Sequence, residues 1–155
     1  MATLTVTLKE ELELNGRERG SEIVLSIGSV TQAYHRIITC PASVQTTLAG
    51  FQAAVNTSDG ALDLQDVKYI RVTNLDSSND VTLSMQISAA ENGTADASTS
   101  VLLEAGHSFI MGTPHDGIAT DDDAATVITT LTDLESLVVD PSSNAVNVEV
   151  FVASQ

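Results

Sequence analysis

Short segments in which apolar and polar residues alternate run the length of the chain, and they constrain the fold more than any other feature. The last is the strongest: in VNVEVFVAS, Val146, Val148, Val150 and Val152 hold every second position. A strand turns successive side chains to opposite faces, so a period of two marks a strand with one buried face. Near the start, Leu4, Val6, Leu8, Leu12 and Leu14 share one parity, interrupted by Glu10, with Thr3, Thr5, Thr7 and Lys9 on the other. That pattern predicts a half-buried strand or pair of strands with a Thr-rich solvent face. Gly16-Arg17-Glu18-Arg19-Gly20 reads as a polar turn between glycines. Ile23, Leu25 and Ile27 resume the alternation, and Gly28 is placed to break or bulge it.

The middle of the chain reads in the same way. VTQAYHRIITC (Val30 to Cys40) is β-branched and extended up to Pro41. Val44, Leu48, Phe51 and Val55 fit a helical stripe, but the β surroundings and Gly50 favour a strand. Asp63-Leu64-Gln65-Asp66 reads as one helical turn. In VKYIRVTNLDSSNDVTLSMQI, Ile70 and Val72 face the same side as Val81, Leu83, Met85 and Ile87, with turn chemistry in Leu75 to Asp80. Ala89 to Ser98 is a polar loop around Asn92-Gly93. Ser100 to Met111 is strand, turn at Ala105-Gly106, strand. Thr113 to Ala125 is an acidic loop, LESLVVD a strand, and Pro141 to Asn144 a turn. These segments amount to about eight to ten short strands and no long helix. The expected fold is all-β: an antiparallel two-sheet β-sandwich, jelly-roll-like. Residues 1–155 make one domain, with residues 1–15 as an extended N-terminal arm or edge strand.

Charge is unevenly spread. All six basic residues (Lys9, Arg17, Arg19, Arg36, Lys68, Arg71) fall before Val72, beyond which there are acids and no Lys or Arg; the formal net charge is −15. Such a surface repels phosphate backbones and anionic membranes, which excludes nucleic acid and membrane as expected partners. Lys9, Arg17, Arg19 and Arg36 are the candidate partner-facing residues, suited to an acidic protein. Aromatics at 3% and no Trp also weigh against base stacking and small-molecule pockets. MATLTVTLKEE carries neither a basic leader nor an apolar core, so no secretory signal is expected. The triplets at Asn56 and Asn92 are accordingly read as plain polar loops.

The chemistry-bearing residues form no catalytic pattern. No G-x-S-x-G elbow occurs. Cys40 is the single cysteine, read as a small buried hydrophobe rather than a thiol paired with His35, His107 or His115. GHSFIMGTPHDG is loosely similar to the metal loops of cupins but lacks their close H-x-H pair. Asp116 with Asp121-Asp122-Asp123 lacks the alternating ligands of an EF-hand and reads as a solvated loop. No catalytic residue, cofactor site or metal site is expected.

The strings VKYIRVTNLDSSNDVTLSMQI, VLLEAGHSFIM and NVEVFVAS resemble small virion structural proteins of tailed bacteriophages, over roughly Val67 to Met111 and the last strand. The resemblance implies a β-sandwich associated with capsid or tail, often trimeric and without enzymatic activity. It carries over framework positions only: Tyr69, Ile70, Val72, Asn74, Leu75, Leu103, Gly106 and Phe109. Of these, Ile70, Val72, Leu103 and Phe109 should pack the core, and Asn74 and Gly106 should make turns. The expected function is a capsid decoration or cement protein, a self-associating trimer bound to the major capsid protein or other virion proteins. It would be made in the host cytoplasm and carried on the capsid exterior. The alternatives are a tail, knob or fibre-head domain and, further off, a cupin-like metal enzyme or carbohydrate-binding domain.

Overall fold

The alternating valines of the last segment form the centre of the molecule: Val148, Val150 and Val152 are completely buried and Val146 nearly so. The structure, a computed structural model, describes residues 1–52, 62–63, 65–87, 97–112, 119–120 and 131–155. Among these residues there are fourteen strands and no helix. The first four are β1 (Ala2–Lys9), β2 (Glu13–Leu14), β3 (Arg17–Glu18) and β4 (Glu22–Val30). Then come β5 (Gln32–Cys40), β6 (Thr46–Gln52), β7 (Leu62–Asp63), β8 (Val67–Asn74) and β9 (Val81–Ile87). The rest are β10 (Ala97–Leu103), β11 (Ser108–Gly112), β12 (Ala119–Thr120), β13 (Thr132–Pro141) and β14 (Val146–Ser154).

The strands from β5 onward build a two-sheet β-sandwich. One sheet is four-stranded, in the order β11-β8-β14-β5. The other is six-stranded, in the order β10-β9-β13-β6-β7, with β12 on β13. The pairs β5–β14, β6–β13, β8–β11 and β9–β10 are all antiparallel and nest one inside the next. Ile70, Val72 and the β14 valines meet Leu48, Phe51, Leu83, Met85, Leu137 and Val139 in one core cluster. β9, and β14 from Val146 to Val152, bury every second side chain, and that alternation is what makes two inner faces available to each other.

Several expectations are met. Ile70, Val72 and Leu103 are buried and Phe109 packs against them. Cys40 is a buried free thiol, and burial pushes its pKa up. Within the 42–55 segment, Thr46–Gln52 forms strand β6, as expected, and residues 53–55 lie outside the described residues. Gly106 takes a positive φ of 75°, and the fully buried Asn74 caps the Leu75–Asp80 turn.

Others need correction. β8 and β9 do not pair; they belong to opposite sheets, so Ile70 and Val72 face Leu83 and Met85 across the core rather than beside them. The first reversal lies at Asn15-Gly16, at the leading end of the expected Gly16–Gly20 turn, and Arg17–Glu18 is already strand. The early leucines are not half-buried as a set: only Leu4 and Val6 are, while Leu8, Leu12 and Leu14 are exposed. Asp63 lies in β7 and Gln65–Asp66 form a turn, closed by Asp66 N–H donating to the Asp63 carbonyl; Leu64 lies outside the described residues.

Candidate interaction surface

The most distinctive part of the molecule is the hairpin arm made by residues 2–30. Asn15 and Gly16 have φ of 55° and 69°, the left-handed pair that a tight two-residue hairpin turn requires. From that turn the register is constant: Leu14 opposite Arg17, Lys9 opposite Glu22, Leu8 opposite Ile23, Val6 opposite Leu25, Leu4 opposite Ile27. It slips once, where Gly28 and Ser29 (φ 57°) stand between the Leu4–Ile27 and Ala2–Val30 pairs. This is the bulge that Gly28 suggested, and it bends the arm where it joins the body. Past the bulge, Thr31 N–H donates to the Ser154 carbonyl and the Gln155 amide donates to the Gly28 carbonyl, tying the foot of the arm to β14.

Directly opposite residues share a face, so one side of the arm carries Leu4, Val6, Leu8, Ile23, Leu25 and Ile27. Its foot is covered: Leu4, Val6, Ile27 and Val30 pack on Tyr69, Phe151 and Ala153. Its outer half is bare. Leu8, Leu12, Leu14 and Ile23 are between 38% and 54% exposed, and every residue from Thr7 to Arg19 is exposed. Near the tip, the Glu18 carboxylate accepts the N–H groups of Gly20, Leu12 and Arg19, which hold its pKa below the ordinary value. Lys9 pairs with Glu11, whereas Arg17 and Arg19 form no ion pair among the described residues.

The arm stands on the outer face of the four-stranded sheet. Across that face β11, β8, β14 and β5 align Ile110, Arg71, Phe151 and His35 in one row. Phe151 meets both His35 and Tyr69 edge-on, with ring centres 6.0 Å apart in each pair. Glu149, in the next row, accepts from Arg71 at 2.7 Å and sits 2.6 Å from His35 Nε2. Arg71 first, then His35, holds the Glu149 carboxyl below its usual pKa. Ile37 and Ile110 lie on the uncovered part of this face and are exposed.

Three of the four candidate partner-facing residues, Lys9, Arg17 and Arg19, lie on the arm, Arg17 and Arg19 on the face of Leu12 and Leu14 and Lys9 on the opposite one. Arg36 does not; it lies on β5, over the Tyr34 ring. His107 Nδ1 lies 2.9 Å from the carbonyl oxygen of Ala105. His115, Asn56, Asn92, Asp116 and Asp121–Asp123 lie outside the described residues. Among the described residues no group of His, Cys, Asp and Glu is placed to hold a metal ion. Residues 1–15, expected as an extended N-terminal arm or edge strand, are one leg of a hairpin whose other leg runs to Val30; that pairing is what residue-by-residue reading missed, although Asn15-Gly16 between alternating segments is a strong hairpin signal. No protein-family model, no curated protein and no solved structure matches the chain.

Proposed function

We propose that the protein is a non-enzymatic structural component of a tailed-phage virion, a capsid decoration or cement protein that grips its neighbours on the capsid exterior. The observation that carries this reading is the arm: a two-stranded ribbon whose outer half exposes an aliphatic face to water. An isolated hairpin is marginal in water, and bare aliphatic surface marks an association site. Full burial of a Leu or Ile side chain contributes about 1.5–3 kcal/mol, so covering this face gives a joint real strength. The body suits a clamp, because a core packed from two sheets resists deformation when the arm is loaded. The resemblance of the Val67–Met111 strings to phage virion proteins supplies the setting, and the acidic remainder of the surface keeps decorated particles apart.

The test is cosedimentation of the purified chain with undecorated phage heads and, separately, with tails. Saturable binding to heads and greater resistance of those heads to heating are the expected results. Binding to tails alone would move the protein to the tail, and binding to neither would remove the virion role.

A further inference from the structure

We infer that the bare half of the arm is covered by a second copy of this chain, which receives it on the outer face of its four-stranded sheet beside Ile37 and Ile110. This rests on the structural role proposed above and names the occupant of the arm.

Among the described residues nothing packs over the outer half of the arm. From Ala2 to Leu14 the arm spans roughly 40 Å at about 3.3 Å per residue, as long as a body of this size is wide. Among the described residues, the foot is the part that packs into a buried cluster with the body. A second copy, however, offers a surface of the right kind. The four-stranded sheet already accepts this arm's own aliphatics, since Tyr69, Phe151 and Ala153 take Leu4, Val6 and Ile27. Beyond them the same face continues uncovered through Ile110, 38% exposed, and Ile37, 62% exposed. The combination of aromatic rings, Arg71 and exposed isoleucines is the composition of interface hot spots. The opposite outer face differs in kind: apart from Leu102 it presents Thr82, Ser84, Gln86, Ser100 and Asp140.

Two bodies of this chain repel, because everything beyond Arg71 lacks Lys and Arg. From Lys9 to Glu22 the arm carries five glutamates against Lys9, Arg17 and Arg19, so it too is acidic overall. At its tip Arg17 and Arg19 form no ion pair among the described residues and reduce that repulsion where the arm meets its neighbour. Since the donating and receiving surfaces are not the same patch, every copy can give one arm and take one, and the assembly closes where the rotation between neighbours allows, as an exchanged pair or a ring. Each molecule is then held twice.

The test uses the full chain. Light scattering after size exclusion should show an assembled species at about 50 µM, a concentration at which micromolar contacts are populated. Leu14→Glu with Ile23→Glu on the arm, or Ile37→Glu on the receiving face, should each raise the concentration needed for assembly about a hundredfold, the scale of losing a buried hot spot. Leu102→Glu, at an equally exposed leucine on the other face, should leave assembly unchanged. Circular dichroism checks the fold of each, and Ile37→Ser serves where Ile37→Glu does not fold. Mixing a Leu14→Cys chain with a mass-tagged Ile37→Cys chain should give a disulfide between unlike chains under mild oxidation. A monomeric native chain, Leu14→Cys chains linked only to one another, or insensitivity to the Ile37 variants would overturn the inference. Head cosedimentation is scored separately: a monomer that cosediments sinks self-docking alone. An assembled species that never cosediments sinks the virion role alone.

Discussion

Asn74 is fully buried, and every polar atom of its side chain is used. Its amide donates to the carbonyls of Asn79 at 2.8 Å and Leu103 at 3.2 Å, while its oxygen accepts the Asp76 N–H at 3.0 Å. One side chain thus closes the turn between β8 and β9 and ties it to the end of β10. Replacing it with alanine strands buried backbone groups, each costing about 1–3 kcal/mol. Asn74→Ala should therefore lower stability by about 2–4 kcal/mol, read as a fall in the urea midpoint with an unchanged slope. Glu149 gives a pH dependence. Arg71 and His35 lower its pKa in the folded state, so its contribution is fully present above the unfolded carboxylate value of about 4.3 and is lost as pH falls through the lowered folded value. The native chain should melt above Glu149→Gln at neutral pH, and the two should converge as pH falls below the unfolded carboxylate value of about 4.3.

At the scale of the element, the arm behaves as a unit of low stability joined to one of high stability. Its legs touch closely at Gly20, where a Cβ would fall on the Glu10 carbonyl. Gly20→Ala should therefore separate the legs beyond Lys9 while leaving the sandwich intact. The measurement is amide exchange with limited proteolysis: faster exchange and cleavage from Glu10 to Ser21, with β8 and β14 protected as before. The arm also shows what alternation conveys and what it leaves open. Leu4 through Leu14 announced a strand with one apolar face, and that face exists. Alternation carries no information about whether the covering surface belongs to the same molecule, which is why those leucines were expected to be half-buried. The turn itself was legible in Asn15-Gly16, but the two glycines flanking Arg17–Arg19 centred it two to three residues too far along. Similarly, Ile70 to Ile87 revealed two strands and their inward faces. The Leu75–Asp80 link is too long for a two-residue hairpin and carries β9 into the other sheet, a choice made by core packing rather than by local pattern.

The whole molecule is acidic, the arm included: Lys9, Arg17 and Arg19 stand among Glu10, Glu11, Glu13, Glu18 and Glu22. Three of its six basic residues are on the arm, and the body beyond Arg71 has none. That asymmetry was readable from sequence, and it singled out Lys9, Arg17 and Arg19; placing them on a projecting ribbon needed the pairing of β1 with β4. Arg36, chosen by the same reasoning, lies apart on β5, because sequence proximity to the arm says nothing about which side of the bend a residue occupies. That uneven spread makes assembly depend on salt in a way that separates steering from contact. At about 10 mM salt the screening length is roughly 30 Å, comparable with the arm, whereas at about 1 M it is roughly 3 Å. Arg17→Glu with Arg19→Glu should slow association about tenfold or more at low salt and match the native chain at high salt, as expected for long-range steering. Arg36→Glu, a reversal of the same kind off the arm, should change the rate much less. Leu14→Glu should weaken assembly at every salt concentration, because lost apolar burial is not screened. Stopped-flow mixing of labelled chains across this salt range reads all three. A deficit of the paired arginine variant that persists at 1 M would show that the arm tip is seated in direct contact with acids of its neighbour.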